Sequence, residues 1–254
     1  LVRSRGLGDV YKRQHQEWAK CSGIINGIDY VVWNPETDSY ILDNFSIKDF
    51  KAGKQLNKKK LCDDFDMDIN LPLFIFIGRL VGEKSADLLA PAISSAFEEN
   101  GTVFNILILG SGEPSVEHAL YSLNNKWVGY YNTQISYNEK LSHQMYAGAD
   151  FLLMPSRVEP CGLNQLYSMR YGTIPLVRKT GGLKDTVPDF GNEGGYGITF
   201  IQASVKDITQ AMQRALKLYN NQKQLNTLRE TMMKVNNSWE QSAKKYIDLY
   251  TSIQ

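Results

Sequence analysis

From residue 71 onward the chain alternates short apolar runs with longer segments of helical periodicity. The runs are continuous and apolar, as strands buried on both faces should be. They cover residues 73–77, 104–109, 127–130, 151–154 and 174–177. The helix candidates between them cover residues 85–99, 115–123, 139–147 and 163–171. This order predicts an α/β fold, a doubly wound parallel sheet with right-handed crossovers.

The remaining segments have different patterns. Residues 1–14 are basic without periodicity and resemble translated adapter sequence, so we expect them to be non-native and the chain to start in mid-protein. Residues 44–70 are polar and charged and are predicted to form a connecting region. The chain is helical in pattern from Ser204, and a capping box at residues 238–241 opens a last helix. Its apolar side chains share one face: Trp239, Ala243, Tyr246, Ile247 and Tyr250.

Charge, cysteine content and hydropathy exclude several classes of protein. Lysine and arginine total 28 against 27 acidic residues, a net charge of +1, so no overall field steers the chain toward nucleic acid. Cys21, Cys62 and Cys161 are too few and too scattered for a disulfide framework. The apolar runs are too short to cross a bilayer, and we expect no signal peptide at the start of the chain. We therefore expect a cytoplasmic protein without membrane or nucleic-acid partners.

Glycine and basic residues follow the predicted strands, at the edge where doubly wound sheets bind their ligands. These segments are Gly78-Arg79, Gly110-Ser111-Gly112, residues 155–157 and residues 178–182. Such a composition indicates an anion site. Arg79 and Lys84 could clamp a diphosphate and neutralise the charge that develops as it leaves. A surface arginine and a helix-end lysine would fit the spacing alone equally well.

The segment 155–165 leaves a predicted strand and enters a predicted helix through Gly162. A helix N-terminus at this edge can bind phosphate. Glu159 would lie beside that phosphate, where a carboxylate could bind sugar hydroxyls and stabilise a cationic anomeric carbon. The alternatives are a helix-capping role for Glu159 and a buried, space-filling role for Cys161.

Three features that could suggest a metal or a dinucleotide carry little weight. Residues 66–68 match the metal-binding Asp-x-Asp pattern, but they precede the first strand and are predicted to form a solvated loop. Gly110 and Gly112 lack the third glycine of the dinucleotide fingerprint and indicate a tight turn. The histidines show no ligand spacing: His15, His118 and His143. We expect no metal site and no cofactor other than the donor substrate.

Two long motifs resemble the signature of the bacterial glycogen and starch synthases. They are residues 156–167, SRVEPCGLNQLY, and residues 170–187, RYGTIPLVRKTGGLKDTV. Residues 25–29 and 33–38, INGID and WNPETD, are similar to the segment in which these enzymes pass from their first domain to their second. The resemblance covers about residues 22–253.

This resemblance implies two Rossmann-like domains facing across a cleft, the GT-B arrangement, of which the chain would be the C-terminal half. It implies transfer of glucose from ADP-glucose to the non-reducing end of an α-1,4-glucan, with retention of configuration and without a metal. The implied parts are a hinge and connecting region over residues 15–70, a nucleotide-sugar-binding domain over 71–237 and a helix over 238–254. That helix would cross back to an absent N-terminal domain, without which the chain would be inactive.

The resemblance also implies roles for particular residues. Arg79 and Lys84 would hold the diphosphate, and Tyr137 would stack on the base. Glu159 and Cys161 would line the glucose. The other implied donor-site residues are the helix N-terminus at Gly162, Leu163 and Asn164, the loop Thr180-Gly181-Gly182, and Asn26 on the hinge side. Gly110 and Gly112, at the same predicted edge, complete the candidates for substrate binding.

The chain departs from related patterns at three positions. Tyr167 stands where many retaining transferases carry a second glutamate, which favours the glycogen and starch synthase branch. Asn164 replaces a common threonine, and Ser85 replaces a common glycine. A noncatalytic nucleotide-binding module, or a GT-B relative that uses a UDP-sugar and another acceptor, is the alternative. Glu159 favours the synthase, because a bare binding module would have no need of that carboxylate.

Overall fold

The computed structural model describes residues 21–253, and its centre is a six-stranded parallel sheet in the order β3-β2-β1-β4-β5-β6. The strands are β1 (Leu73–Ile77), β2 (Asn105–Gly110), β3 (Tyr131–Ile135), β4 (Phe151–Met154), β5 (Ile174–Arg178) and β6 (Ile198–Phe200). The chain adds strands on one side of β1 and then, from β4, on the other. The predicted doubly wound α/β fold is confirmed. The predictions for residues 1–14 and His15 concern residues outside the described range.

Helices pack around this sheet and bury its central strands. The helices are α1 (Phe50–Asp64), α2 (Leu89–Asn100), α3 (Pro114–Lys126), α4 (Glu139–Gly148), α5 (Asn164–Arg170), α6 (Gly181–Thr186), α7 (Val205–Tyr219), α8 (Gln222–Met233) and α9 (Trp239–Ile253). All residues of β2 and β4 are buried, as expected of strands with both faces covered. Within residues 21–253, no helix has the length and apolarity needed to span a membrane.

The third strand is not where the sequence predicted it. The apolar run 127–130 forms a turn, and Trp127 stacks on Phe97 of α2 with 4.5 Å between ring centroids. Strand β3 follows at Tyr131–Ile135 and lies at the edge of the sheet, where buried and half-buried residues alternate at its start. The prediction was wrong because an edge strand has no continuous apolar run by which to recognise it. The short edge strand β6 was missed for the same reason.

The segment predicted as one helix over 85–99 is divided. Two short 3-10 turns, Gly82–Lys84 and Ala86–Leu88, meet at Ser85, which has a left-handed φ of 54°. Helix α2 begins only at Leu89. Lys84 therefore lies in a turn just after β1 and not on the helix itself.

A 15-residue helix, α1, forms within the predicted connecting region. Its buried side includes Lys54, Asn57 and Lys58, and the Lys58 ammonium lies 2.8 Å from Asp150. Because polar groups supply much of its buried face, α1 lacks the apolar periodicity that would have predicted it. The domain boundary near residue 70 stays a prediction.

The last helix begins at Trp239, where the capping box predicted it. Its apolar face is largely uncovered: Tyr246 is 39% exposed, Ile247 62% and Tyr250 64%. In the described part of the chain, Ser242 is the only buried residue of α9, and its hydroxyl donates a 2.8 Å hydrogen bond to the Ile25 carbonyl. The helix is thus attached at its start and exposes an apolar stripe beyond it.

Candidate active site

A cleft lies at the carboxyl edge of the sheet, where β1 and β4 run side by side and the strand order reverses. It consists of two adjoining cavities of about 370 and 280 Å³ that share Ile77, Gly78 and Asn164 as lining residues. The reversal point of a doubly wound sheet is the usual place for a ligand. The predicted location of the site therefore coincides with an open, preformed cleft.

Lys84 and Glu159 meet in the smaller cavity. The Lys84 ammonium lies 2.5 Å from Glu159 Oε2, and the same oxygen accepts a 3.1 Å hydrogen bond from the Ser156 hydroxyl. Glu159 is only 7% exposed, so its charge depends on these partners. The structure thus brings together two of the three predicted catalytic residues.

The loop that carries Glu159 is fixed by two arginines that follow predicted strands. Arg178 donates to the carbonyls of Ser156 and Arg157, at 2.7 and 2.6 Å. Arg157 binds both carboxylate oxygens of Asp87, at 2.5 and 2.8 Å. Position after a strand indicated an anion site, but these two side chains hold the loops together. Arg157 links the Glu159 loop to the segment that carries Lys84.

A second loop packs against the first and requires glycine at two positions. A Cβ on Gly181 would lie 2.0 Å from the Glu159 carbonyl, and one on Gly182 would lie 2.1 Å from the Cys161 carbonyl. Gly182 also donates a 3.0 Å hydrogen bond to the Glu159 carbonyl. The predicted loop Thr180-Gly181-Gly182 therefore lies directly beside the Glu159–Cys161 backbone, although none of its residues lines the cavities.

Arg79 lines the larger cavity, and Lys84 lines the smaller one. Gly78 lines both cavities. The Arg79 side chain is 67% exposed and its Nη2 donates to Glu83 Oε2 at 3.1 Å. The two predicted clamp residues therefore reach the same cleft from neighbouring cavities. Each already has a carboxylate partner.

The start of α5 forms one wall of the smaller cavity. Gly162, Leu163 and Asn164 all line it, and Gly162 adopts a left-handed φ of 74° that favours glycine. The Asn164 amide donates a 2.6 Å hydrogen bond to the Ile77 carbonyl at the end of β1. This bond fixes the start of α5 against β1, the position that the sequence predicted for a phosphate.

Aromatic rings line the larger cavity. Trp33 is stacked between His143 and Tyr167, with ring centroids 3.9 and 3.8 Å away. Tyr167, which stands at the position of a second glutamate in related patterns, contributes a ring to this wall. Tyr137 lies at the rim and is 87% exposed. The sequence indicated Tyr137 but missed Trp33, because only the fold brings it to the cleft.

A buried hydrogen-bond network fixes His143, the ring that stacks on Trp33. His143 Nδ1 lies 2.7 Å from Asp38 Oδ2, and the Tyr171 hydroxyl donates to the same oxygen at 2.5 Å. Burial alone would raise the pKa of Asp38, but these hydrogen bonds outweigh it and the pKa is lowered. His143 therefore supports the aromatic wall.

Of the remaining candidates, Asn26 lies apart from the cavity walls, and Gly110 and Gly112 have packing roles. Asn26 is exposed and lies beside the start of α9, where a Cβ on Gly27 would be 2.4 Å from the Trp239 nitrogen. Gly110 lines the larger cavity, and a Cβ there would meet the Gly78 carbonyl at 2.0 Å. Gly112 packs against Leu80 in the same way and lines neither of the two cavities of the cleft.

The Asp-x-Asp pattern lies in the turn before β1, away from the carboxyl edge that forms the cleft. Asp66 and Asp68 are both exposed, and Asp68 Oδ1 accepts hydrogen bonds from Asn70. Across residues 21–253, no three His, Cys, Asp or Glu side chains are grouped as metal ligands.

Comparison with known proteins defines the class. A model of the family described as glycosyl transferases group 1 matches residues 60–231, so the chain belongs to that family. It is 53% identical to the glycogen synthase of Flavobacterium johnsoniae over 92% of its own length and 49% of that protein. It is 42% identical to the glycogen synthase of Finegoldia magna over 98% of its own length and 52% of that protein. The chain therefore spans about half the length of these curated relatives.

A solved structure is similar over the same extent. The catalytic domain of starch synthase IV from Arabidopsis thaliana, bound to ADP and acarbose, matches with a TM-score of 0.87 and 34% identity. The match covers 96% of this chain and 51% of that one. The resemblance to glycogen and starch synthases is confirmed, as is the Rossmann-like sheet expected of one half of a GT-B enzyme.

Proposed function

We propose that the chain is the nucleotide-sugar-binding half of a glycogen or starch synthase, which transfers glucose from ADP-glucose to the non-reducing end of an α-1,4-glucan. The contact of Lys84 with Glu159 in the cleft is the observation that carries the proposal. A cation for a leaving phosphate and a carboxylate for a cationic sugar are the two charges that retaining glucosyl transfer requires. The relatives named glycogen synthase support the substrate class. A cytoplasmic location stays a prediction.

The two cavities fit the two parts of the donor. The larger cavity, with its aromatic rings, accommodates the nucleoside, with Tyr137 closing over the base from the rim. Arg79 and Lys84, on either side of Gly78, hold the diphosphate between the cavities. The sugar then lies in the smaller cavity beside Glu159, with Cys161 and the Thr180–Gly182 loop behind that carboxylate.

The reaction breaks the bond between the anomeric carbon and the phosphate oxygen. Lys84 and the N-terminus of α5 stabilise the negative charge that collects on the departing phosphate. Glu159 stabilises the positive charge that develops on the sugar, and the acceptor hydroxyl then bonds to the anomeric carbon. Its proton passes to the leaving phosphate, so that ADP and a glucan one unit longer are the products.

A hybrid enzyme tests the proposal directly. Residues 22–253 would replace the matching half of the Flavobacterium johnsoniae glycogen synthase, which the 53% identity makes feasible. We expect the hybrid to elongate glucan from ADP-glucose and to be much slower with UDP-glucose. A folded hybrid that binds ADP without glucan synthesis would instead support a noncatalytic nucleotide-binding module. A preference for UDP-glucose would contradict the proposed donor.

We propose that the mechanism needs no metal. The hybrid is therefore expected to keep its activity in excess chelator, and the Asp66→Ala/Asp68→Ala variant to match the parent within about twofold, because both carboxylates are exposed in a turn. Initial rates with and without chelator provide the measurement. Loss of activity in chelator that Mn²⁺ or Mg²⁺ restores would contradict this prediction.

We propose that α9 crosses back to the N-terminal domain of the complete enzyme, which would cover its apolar stripe. In the isolated chain, amides of residues 239–252 should exchange with solvent orders of magnitude faster than those of β1 and β4, because little of α9 is buried. Helix α8 of the same chain, which buries one face on the domain, is the internal reference. Equal protection in α8 and α9 would show that the helix docks on its own domain.

The same stripe should make the isolated chain self-associate. Sedimentation velocity is expected to show association that rises with concentration and falls in the Ile247→Ser/Tyr250→Ser variant. Val31→Ser, at another exposed apolar residue, is the control. A parent chain that stays monomeric at all concentrations would contradict the prediction.

A further inference from the structure

A third cavity, of about 450 Å³, lies at the amino edge of the sheet, away from the cleft. Its walls come from α1, the turn before β1, the residues that precede β4, the end of α7 and helix α8. It is larger than either cavity of the cleft. The proposed transfer reaction makes no use of it.

Buried cations outnumber carboxylates in this wall. Lys54, Lys58 and Arg229 are 4%, 6% and 6% exposed, and Asp150, at 4%, is the single acidic residue among the residues that line the cavity. Asp150 Oδ2 accepts from Lys58 at 2.8 Å, and its Oδ1 accepts from Arg229 at 2.6 Å. One carboxylate is therefore shared by two cations, and exposed Lys51 adds a further positive charge at the cavity.

Lys54 does not relieve this imbalance. Its ammonium donates to the Ala147 and Tyr171 carbonyls, at 2.9 and 3.0 Å, and to the Thr173 hydroxyl at 2.9 Å. These carbonyls lie at the ends of α4 and α5, where the helix dipoles favour a cation. Burial, and then the charge of Arg229, lowers the pKa of Lys54 well below its usual value. The positive charge of Lys54 is therefore disfavoured in this wall, and the cations that face the single carboxylate are Lys58 and Arg229.

Arg229 is held in the wall by one hydrogen bond within residues 21–253, which its Nη2 donates to Asp150 Oδ1. Its Nε–H has no acceptor there but is enclosed by protein atoms, so a ligand in the cavity would meet the guanidinium at Nη1. The rest of the lining includes four side-chain amides, which are uncharged donors and acceptors: Gln55, Asn70, Gln222 and Asn226. The wall therefore suits a small anion with several oxygen acceptors.

We propose that this cavity binds a phosphate group, carried either by inorganic phosphate or by a small phosphomonoester. Arginine recognises phosphate through paired N–H bonds, and the surrounding amides supply further contacts. The two negative charges of the bound dianion balance the net charge of +2 that Lys51, Lys58 and Arg229 leave against Asp150. The dianion also links α1 to α8, so that phosphate at concentration c stabilises the folded chain by RT ln(1 + c/Kd), which rises with the phosphate concentration.

The test titrates inorganic phosphate into the 254-residue chain by calorimetry, in the Arg79→Ala/Lys84→Ala background that removes the two cations of the cleft. We expect one phosphate per chain and a rise in Tm, with no such effect from chloride at equal ionic strength. Methyl phosphate identifies the occupant. Binding as tight as that of phosphate indicates a monoester, whereas much weaker binding indicates the free ion.

Two matched variants on α8 locate the site. Asn226→Asp places a carboxylate three residues before Arg229, on the same helix face, and should weaken phosphate binding at least tenfold. Gln224→Glu makes the same change of charge at an exposed residue outside the cavity and should leave the affinity unchanged. Circular dichroism checks that both variants fold. Equal affinities in the two variants, an equal loss in both, or phosphate binding no better than chloride would overturn the proposal.

Discussion

Glu159→Gln in the hybrid enzyme should lower kcat at least a hundredfold, about 3 kcal/mol of transition-state stabilisation, while ADP affinity stays within a few-fold. Glutamine keeps the size of the side chain and can still accept from Lys84 and Ser156, which hold the carboxylate at 2.5 and 3.1 Å. It lacks the negative charge that faces the anomeric carbon in the proposed complex. The effect should therefore fall on the chemical step and spare nucleotide binding.

Initial rates with ADP-glucose, together with calorimetric titration of ADP, separate these two quantities. Glu193→Gln, at an exposed loop position away from the cleft, is the control and should behave as the parent. If ADP binding is lost in parallel with activity, Glu159 maintains the structure of the cleft and does not act on the sugar.

Lys84→Ala should lower kcat/KM at least a hundredfold, and Arg79→Ala should do the same, about 3 kcal/mol in each case. Both cations are proposed to bind the diphosphate, whose negative charge grows as the bond to the sugar breaks. The two variants should differ in stability. Lys84→Ala leaves the buried Glu159 without its cation, whereas the Arg79–Glu83 pair is two-thirds exposed and contributes little to folding.

Steady-state kinetics and thermal unfolding of both variants provide the measurement. Lys206→Ala removes an exposed lysine that lines neither cavity of the cleft and should leave kcat/KM unchanged. Near-normal turnover in either cleft variant would show that its cation does not bind the diphosphate. A lower Tm for Lys84→Ala than for Arg79→Ala is expected from the burial of Glu159.

The parts of the fold that could be predicted are those in which buried residues form a continuous apolar run in the sequence. Strands β1 and β4 are apolar throughout because helices cover both of their faces. Strand β3 lies at an edge, and α1 buries lysines that pair across the chain, so neither carries that pattern. Their positions depend on partners that only the folded chain supplies.

The residues of the candidate site likewise divide into those that the sequence could predict and those that it could not. Position after a strand was enough to select Arg79, Lys84 and Glu159, since parallel strands bring their carboxyl ends together. The contact of Lys84 with Glu159 joins residues 75 positions apart, which no local pattern reveals. The position of Trp33 in the cleft could not be predicted either, because the side chains that stack on it come from two other elements, α4 and α5. The sequence pattern predicted Arg157 and Arg178 as part of an anion site, but Arg157 binds Asp87 and Arg178 binds loop carbonyls.

The ion pair of Lys84 and Glu159 has a consequence for product release. In the structure these two charges neutralise each other. In the proposed complex the diphosphate of ADP-glucose shares or takes the lysine, so part of the attraction between cation and phosphate is offset by the loss of the pair. When ADP departs, the pair forms again and recovers that free energy. The enzyme would thus hold its nucleotide product less tightly than two unpaired cations would, which favours repeated cycles of transfer over retention of spent donor.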